Sequence, residues 1–376
     1  WIFVLKGKYT KIMWSVVFYV ISFWWVHVCV RNSNFSPRVK MGFEAIYCFF
    51  ALFIFFCFRD ITILNDTHAY FEWFDDLSHS AEHMSHGIWH VNALDRFEPG
   101  FQIYANMIMH FITRNAYGII FISGLIVTIA NILFIRKFTN GICLVVFLML
   151  CAGVLESEYS GMRQGIAICV LYYAYFQLLK HRLFIFILCG IIATTLHSSA
   201  IVFFLLLILQ KVELNRKFIS ITFIGGIIIA FFIDKVFEML GLTDLVYYEQ
   251  GMTRDSVAWA AIINTVISAI VLWFCYYIQR KYSFKVKEPL LWWMTILNVI
   301  FNMTSITFPI MTRFSLYFYP FIFILCILLI NRVPSGKTRL KYINLIIIGF
   351  LLRFIVILEY KNDWNVMYPY LFYNFN

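Results

Sequence analysis

The residues able to do chemistry in this 376-residue chain are few, and they stand at the ends of long apolar runs. Arg59, Asp60 and Asp66 follow one run, and Arg96 and Glu98 precede a short one. Glu156, Glu158 and Arg163 occupy a turn, His197-Ser198-Ser199 interrupts a further run, and Arg313 and Arg353 complete the set. Guanidinium groups bind phosphoryl oxygens in pairs and stay charged at any physiological pH. Several arginines on one side without a matched acid for each therefore suit a ligand carrying phosphate or pyrophosphate. The competing use of any one of them is as a snorkelling anchor at the membrane surface. Asp66, Glu98 and His197 have the chemistry of a general base, with no order of preference among them.

A second constellation invites a metal. His79, His83, His86 and His90 are spaced so that one helix would carry all four on one face, with Asp75 and Glu82 beside it, and such a face can ligate zinc. Gly87 interrupts that helix and the segment is rich in Trp and Phe, which favours an amphipathic lid, so no metal site is expected. Asp75-Asp76 resembles the acidic pair by which membrane glycosyltransferases hold a metal, a short and unspecific likeness.

The elements that must position these groups follow from composition. Apolar residues make up 62% and charged residues 13%, with a mean hydropathy of +0.80. A water-soluble fold of this length would expose one continuous apolar surface, whereas lipid accepts it. Runs long enough to cross, or nearly cross, a bilayer lie at 12–29, 41–58, 117–135, 141–155, 161–179, 217–233, 257–279, 289–308, 314–331 and 340–358. The stretch 183–210 is too long for one untilted helix and reads as two short helices meeting at His197. The stretch 98–113 is short and carries Glu98, Gln102, Asn106 and His110, the pattern of an interfacial or partly inserted segment. The expectation is an all-α polytopic helix bundle of about 11–13 membrane segments, compatible with a GT-C-like architecture. It forms a single transmembrane domain over 1–376, with outer loops at 59–97 and 235–256.

Placing the turns at 31–40, 136–140, 180–182, 211–217, 280–288 and 331–341 inside collects 18 of the 30 basic residues there. Lys6, Lys8 and Lys11 oppose this orientation. It puts 17 of the 20 acids in or beside outer loops, with Glu44, Glu213 and Glu288 as exceptions. The net charge of +10 then belongs to an inner face against anionic lipid, and no nucleic-acid partner is expected. All nine cysteines fall in or beside apolar runs, which offers no disulfide framework or zinc spacing. Walker A, GxSxG and HExxH are absent, and no cofactor is expected. The chain starts at Trp1 without an initiator Met, and its first run, lacking a small-residue cleavage site, is expected to be retained.

The order of the short motifs is more specific than any one of them. Arg59 with Asp66 and Tyr70 comes first, then Glu98-Pro99-Gly100-Phe101, then Arg163-Gln164 leading a small-residue helix. His197-Ser198-Ser199-Ala200, Arg313-Phe314 with Tyr317 and Tyr319, and Trp364 with Tyr368-Pro369-Tyr370 complete the series. The set, spanning about 40–372, resembles the EpsG family of Wzy-type polymerases of capsule, exopolysaccharide and O-antigen pathways. Where that family has Gly-Thr before the aspartate, this chain has Asn65 before Asp66.

The resemblance implies a multi-pass protein of the bacterial inner membrane that transfers a growing glycan from undecaprenyl pyrophosphate onto the next lipid-linked repeat unit. A flippase and a chain-length regulator of the same pathway are the implied partners. It casts Arg163 and Arg313, with Arg59, as leaving-group cations and Asp66, Glu98 or His197 as the base. Tyr70 is expected to bind substrate, and Tyr317, Tyr319, Trp364 and Tyr368 fall in stretches, 314–320 and 364–373, that suit a membrane aromatic belt and equally platforms for sugar rings. Two other readings are a metal-dependent glycosyltransferase using a polyprenyl-phosphate sugar and a flippase or transporter of lipid-linked sugars. Transport would favour ionisable groups near the bilayer midplane, whereas these lie at its outer edge.

Overall fold

The computed structural model describes residues 2–80, 87–239, 254–285, 289–360, 367 and 370–374. The chain is an all-helical, multi-pass membrane protein, 77% helix, with no strand among the described residues. Among the described residues six helices are long and apolar enough to cross a bilayer: Met13–Asn32, Pro37–Cys57, Tyr117–Ile135, Trp259–Lys281, Met311–Asn331 and Gly336–Tyr360. A bent pair can count as a seventh, and Leu183–Leu196, Ser198–Leu209, Lys217–Ile229 and Pro289–Thr304 are apolar but shorter. Large apolar side chains point outward along these helices, Phe18, Phe184 and Phe231 among them, as a lipid solvent requires.

Two compact units divide the chain, one of residues 1–201 with 343–376 and one of residues 202–342. The first opens on α1 (Ile2–Asn32) and α2 (Pro37–Leu52), the latter started by Ser36 as N-cap and Pro37 in its first turn. A π-turn, Phe53–Cys57, carries α2 to Arg59. α3 (Thr67–His79), α4 (Pro99–Phe111) and α5 (Tyr117–Ile135) share an aromatic core that includes Tyr70, Trp73, Phe97, Phe101 and Tyr117. The next helix, α6 (Ile142–Cys151), is buried at every residue, which is why its sequence is apolar on all faces. Gly153, at φ +75°, then supplies the left-handed residue that bends the chain by 75° into α7 (Val154–Ser160). α8 (Met162–Leu179) and α9 (Leu183–Leu196) follow.

Glu44, an acid outside the outer loops, proves to be a structural group. Its Oε2 accepts from the Cys143 amide in the first turn of α6 at 2.9 Å, and its Oε1 meets His27 Nδ1 at 2.7 Å, which ties α1, α2 and α6 together.

The second unit holds α10 (Leu206–Leu209), α11 (Arg216–Met239), α12 (Arg254–Lys281), α13 (Pro289–Thr304), α14 (Met311–Leu316) and α15 (Tyr319–Asn331), with the start of α16 (Gly336–Tyr360). Its apolar core centres on Trp293, Ile296 and Ile300. Beside them Asn302 reaches Ser268 at 3.3 Å and the Asn298 carbonyl at 2.9 Å, while Asn298 reaches the Ser315 carbonyl at 3.2 Å. Neutral polar side chains of this kind join helices where burial alone gives little drive for association. Tyr319 belongs to this network, its hydroxyl 3.4 Å from Ser268 Oγ.

Candidate functional site

Glu98 organises the site. It stands at the start of α4, where Pro99 fills the first helical position, and its main-chain carbonyl takes the amides of Phe101 and Gln102. Its carboxylate does not cap α4 and is turned toward α9. There Oε1 accepts from His197 Nδ1 at 3.0 Å and from the Ser198 amide at 3.2 Å, with Ser198 Oγ at 3.4 Å. Oε2 meets Arg163 Nη1 in a direct ion pair.

Two local features bring these residues together. The first is the polar break anticipated at His197: α9 stops at Leu196, His197 is extended (φ −155°, ψ 117°), and the chain resumes as a 3-10 helix, Ser198–Leu205. The second is Gly100. A β-carbon there would lie 2.5 Å from Thr195 Oγ1 and 2.7 Å from the Thr195 carbonyl, so only glycine lets α4 approach the end of α9 this closely. Gly100→Ala is therefore expected to push Glu98 away from His197 and to cost most of the activity while the protein still accumulates in the membrane. Activity and membrane yield measured on the same preparation check this.

Arg163, at the start of α8, is held on three sides. Besides Glu98 it donates from Nε to the Tyr70 hydroxyl at 3.2 Å, and its guanidinium lies 4.6 Å over the Phe97 ring. The expectation of an arginine without a matched acid is thus corrected: its partner lies 65 positions away in sequence. The Phe97 ring also carries Arg96, at 4.8 Å, and stacks on Tyr70. Sequence reasoning missed Phe97, which has no polar atom to mark it. Asp66, exposed at the start of α3, acts on the same cluster. Burial raises the Tyr70 hydroxyl above its usual value, Arg163 draws it down, and the Asp66 carboxylate pushes it up.

Burial alone would raise the Glu98 carboxyl, but the His197 hydrogen bond and the Arg163 charge outweigh it and hold the group at about 2, against an ordinary 4.5. A depressed value means that this group favours the folded state above its unfolded value, and that the contribution is lost as pH falls from there through the folded value. Thermal stability should accordingly decline as the medium is acidified from about 4.5 toward about 2, and Glu98→Gln should flatten that decline; a melting series in detergent at graded pH checks both. A carboxylate held so low is a poor proton acceptor near neutrality. With Nδ1–H donated to Glu98, the basic lone pair of a neutral His197 is on Nε2.

A family model matches residues 44–372. The chain belongs to the EpsG family. This is a family of Wzy-type polymerases, and the match covers nearly the whole chain, Glu98, Arg163 and His197 included. No curated protein and no solved structure matches it. Membership supports a polysaccharide-polymerase role in general terms for this EpsG-family chain.

Other residues singled out by sequence have different surroundings. Arg59 is 1% exposed and donates to the Tyr159 carbonyl at 2.9 Å, to Thr67 Oγ1 at 3.3 Å and to the Phe56 carbonyl. It closes the carbonyl ends of the π-turn and of α7, where a cation is favoured. The chain there is further fixed by Asp60 N to Leu371 O and Tyr373 N to Phe58 O, both 2.9 Å. Arg59→Ala should thus lower stability, by about 1–3 kcal/mol for each acceptor left bare, and leave substrate affinity of the surviving protein unchanged; thermal unfolding beside KM checks it.

Glu158 is buried and bonded by Asn131 at 2.6 Å and Tyr172 at 3.3 Å, and Arg353 donates to the Cys151 carbonyl at 2.6 Å. Arg313, on α14, belongs to the second unit, as do Tyr317 and Tyr319, both buried in it.

His79 and His90 do not share a helix. His79 ends α3 and bonds within it, to the Asp75 carbonyl at 2.9 Å, whereas His90 lies in a non-helical segment after Gly87. His83, His86, Glu82, Trp364 and Tyr368 lie outside the described residues, as does most of the loop 235–256. Among the described residues no three metal-ligating side chains form a cluster. The polar stripe of α4 also has a use that sequence did not suggest. Gln102 bonds the Phe97 carbonyl at 2.7 Å and Asn106 the His90 carbonyl at 2.8 Å, so that stripe fastens the segment 88–97 instead of facing water.

Proposed function

We propose that the chain joins undecaprenyl-pyrophosphate-linked oligosaccharide repeat units into a surface polysaccharide, at the outer face of a bacterial inner membrane. One observation carries this reading: a single carboxylate, Glu98, holds both an imidazole and a guanidinium at the end of the short apolar helix α9. Imidazole is the base that an acceptor hydroxyl needs, and guanidinium is the cation that a pyrophosphate leaving group needs.

In this reaction His197 Nε2 takes the proton of the acceptor hydroxyl, whose oxygen forms a bond to the anomeric carbon of the growing chain. The bond from that carbon to the pyrophosphate oxygen breaks, and undecaprenyl pyrophosphate departs with the electron pair. Arg163 meets the charge that develops, its Nε and Nη1 being fixed by Tyr70 and Glu98. Such pre-set donors need no rearrangement at the moment of reaction. Glu98 keeps the His197 tautomer and the Arg163 fork in place, as the buried acid of a Ser-His-Asp triad does for its histidine. Asp66 is assigned to sugar hydroxyls on chemical grounds. The distribution of Lys and Arg among the turns supports the outer face.

A strain lacking the gene tests the reading through its surface glycan. Collapse of a length ladder to one repeat unit is expected. Repeat units stranded on the cytoplasmic leaflet would show transport in place of polymerisation.

A further inference from the structure

Beside the site, a groove of about 750 Å³ runs between α3 and the segment before α4. That is within the roughly 300–1,000 Å³ of small-ligand pockets. Its lining gathers Glu72, Asp75, Asp76 and Asp95 against one guanidinium, Arg96, with the ring of Phe71 alongside. The wall is common to groove and site. Trp73, which also lines the groove, packs edge-on against Phe97 at 4.5 Å, and Arg163 lies over that same Phe97 ring.

Two of the groove's polar groups are fixed. Asp95 accepts from Trp73 Nε1 at 2.8 Å, and Arg96 donates to the Ala69 carbonyl at 2.9 Å while lying over Phe97. Carboxylates accept paired hydrogen bonds from neighbouring sugar hydroxyls, and an aromatic ring accepts the C–H face of a pyranose. A uronic acid or a sugar phosphate would meet like charge instead.

Building on the polymerase reading, we propose that this groove seats the glycan next to the reacting end, and that its surplus of carboxylates selects repeat units that are neutral or carry free amino groups over units that carry acid groups. The selection is electrostatic. Like charges destabilise the complex where they meet at a partly exposed surface, and salt weakens the effect. α3 bears Glu72, Asp75 and Asp76 on its outward side, and an acidic face kept only for solubility would repel acidic glycans without holding neutral ones.

The test uses the purified full-length protein in lipid nanodiscs and three soluble tetrasaccharides: a neutral glucose tetramer, a glucosamine tetramer and a galacturonate tetramer. Binding is read by saturation-transfer NMR and by titration at low and high salt. The neutral and amino tetramers are expected to bind, and the galacturonate tetramer to bind at least about tenfold more weakly at low salt, the gap narrowing at high salt. The double change Asp75→Asn with Asp76→Asn, and separately Glu72→Gln, should reduce the gap while the protein stays folded, since these side chains border solvent. Equal binding of the three tetramers, a gap that ignores salt, or a gap that survives these changes would overturn the proposal. Failure of the polymerase reading would look different: the charge preference would persist in free oligosaccharides while lipid-linked units were never joined.

Discussion

Changing His197 to Gln is expected to slow polymerisation about a hundred- to ten-thousand-fold, the usual contribution of a general base, while the protein stays folded in the membrane. Gln can still donate to Glu98 and fill much of the space, so the ties from Glu98 to Ser198 and Arg163 persist. What is lost is the imidazole Nε2, the proton acceptor of the proposed step. Glu98 cannot replace it, because its carboxyl is held at about 2. Initial rates on lipid-linked repeats, with the melting temperature as the control for folding, decide the matter. An active His197→Gln protein would return the base to Asp66, a carboxylate near Tyr70.

Arg163→Lys should cost about a hundred- to a thousand-fold in kcat, as removal of a pre-set donor to a developing anion does. Lysine keeps the charge and can still reach Glu98. It cannot also bond Tyr70 from a second nitrogen, lie flat on Phe97 and present a planar pair of donors to a phosphoryl oxygen. The loss should therefore fall on kcat more than on KM, with stability little changed. Near-normal turnover would leave Arg163 as a structural clamp that holds α8 to α4.

The parts of this site that sequence made visible are those that disturb an apolar pattern. His197-Ser198-Ser199 could be read as a break because three polar residues divide an otherwise apolar stretch, and a helix does end there, at Leu196. Glu98-Pro99 could be read as a helix start because proline tolerates the first turn. The partnership of Glu98 with Arg163 and His197 could not, since the residues lie 65 and 99 positions apart and one sequence contains no record of contact.

The structural contacts of Arg59 were hidden for a related reason. Its partners include backbone carbonyls, which have no residue type, and an arginine that closes helix ends looks the same in sequence as one that awaits a phosphate. The histidine spacing would place four side chains on one face only along a continuous helix, and α3 ends at His79. Likewise the polar stripe of α4 has the spacing of an interfacial helix, yet its amides hold a neighbouring segment of chain. At the level of architecture the apolar runs marked helices well. They did not separate helices long enough to cross from those of 10–17 residues, because length in a hydropathy run includes turns that share its composition.

The central claim is that Glu98, His197 and Arg163 together transfer a glycan from its lipid pyrophosphate, and the most direct measurement is a reconstituted reaction resolved by product length. Purified protein in nanodiscs is supplied with undecaprenyl-pyrophosphate-linked repeat units in the presence of EDTA, and the glycans are separated by size. The account predicts a ladder of multiples from the natural protein, and a single unchanged repeat from His197→Gln at equal protein and equal melting temperature. A ladder of the same length and rate from both proteins, or one that EDTA abolishes and a divalent ion restores, would contradict it.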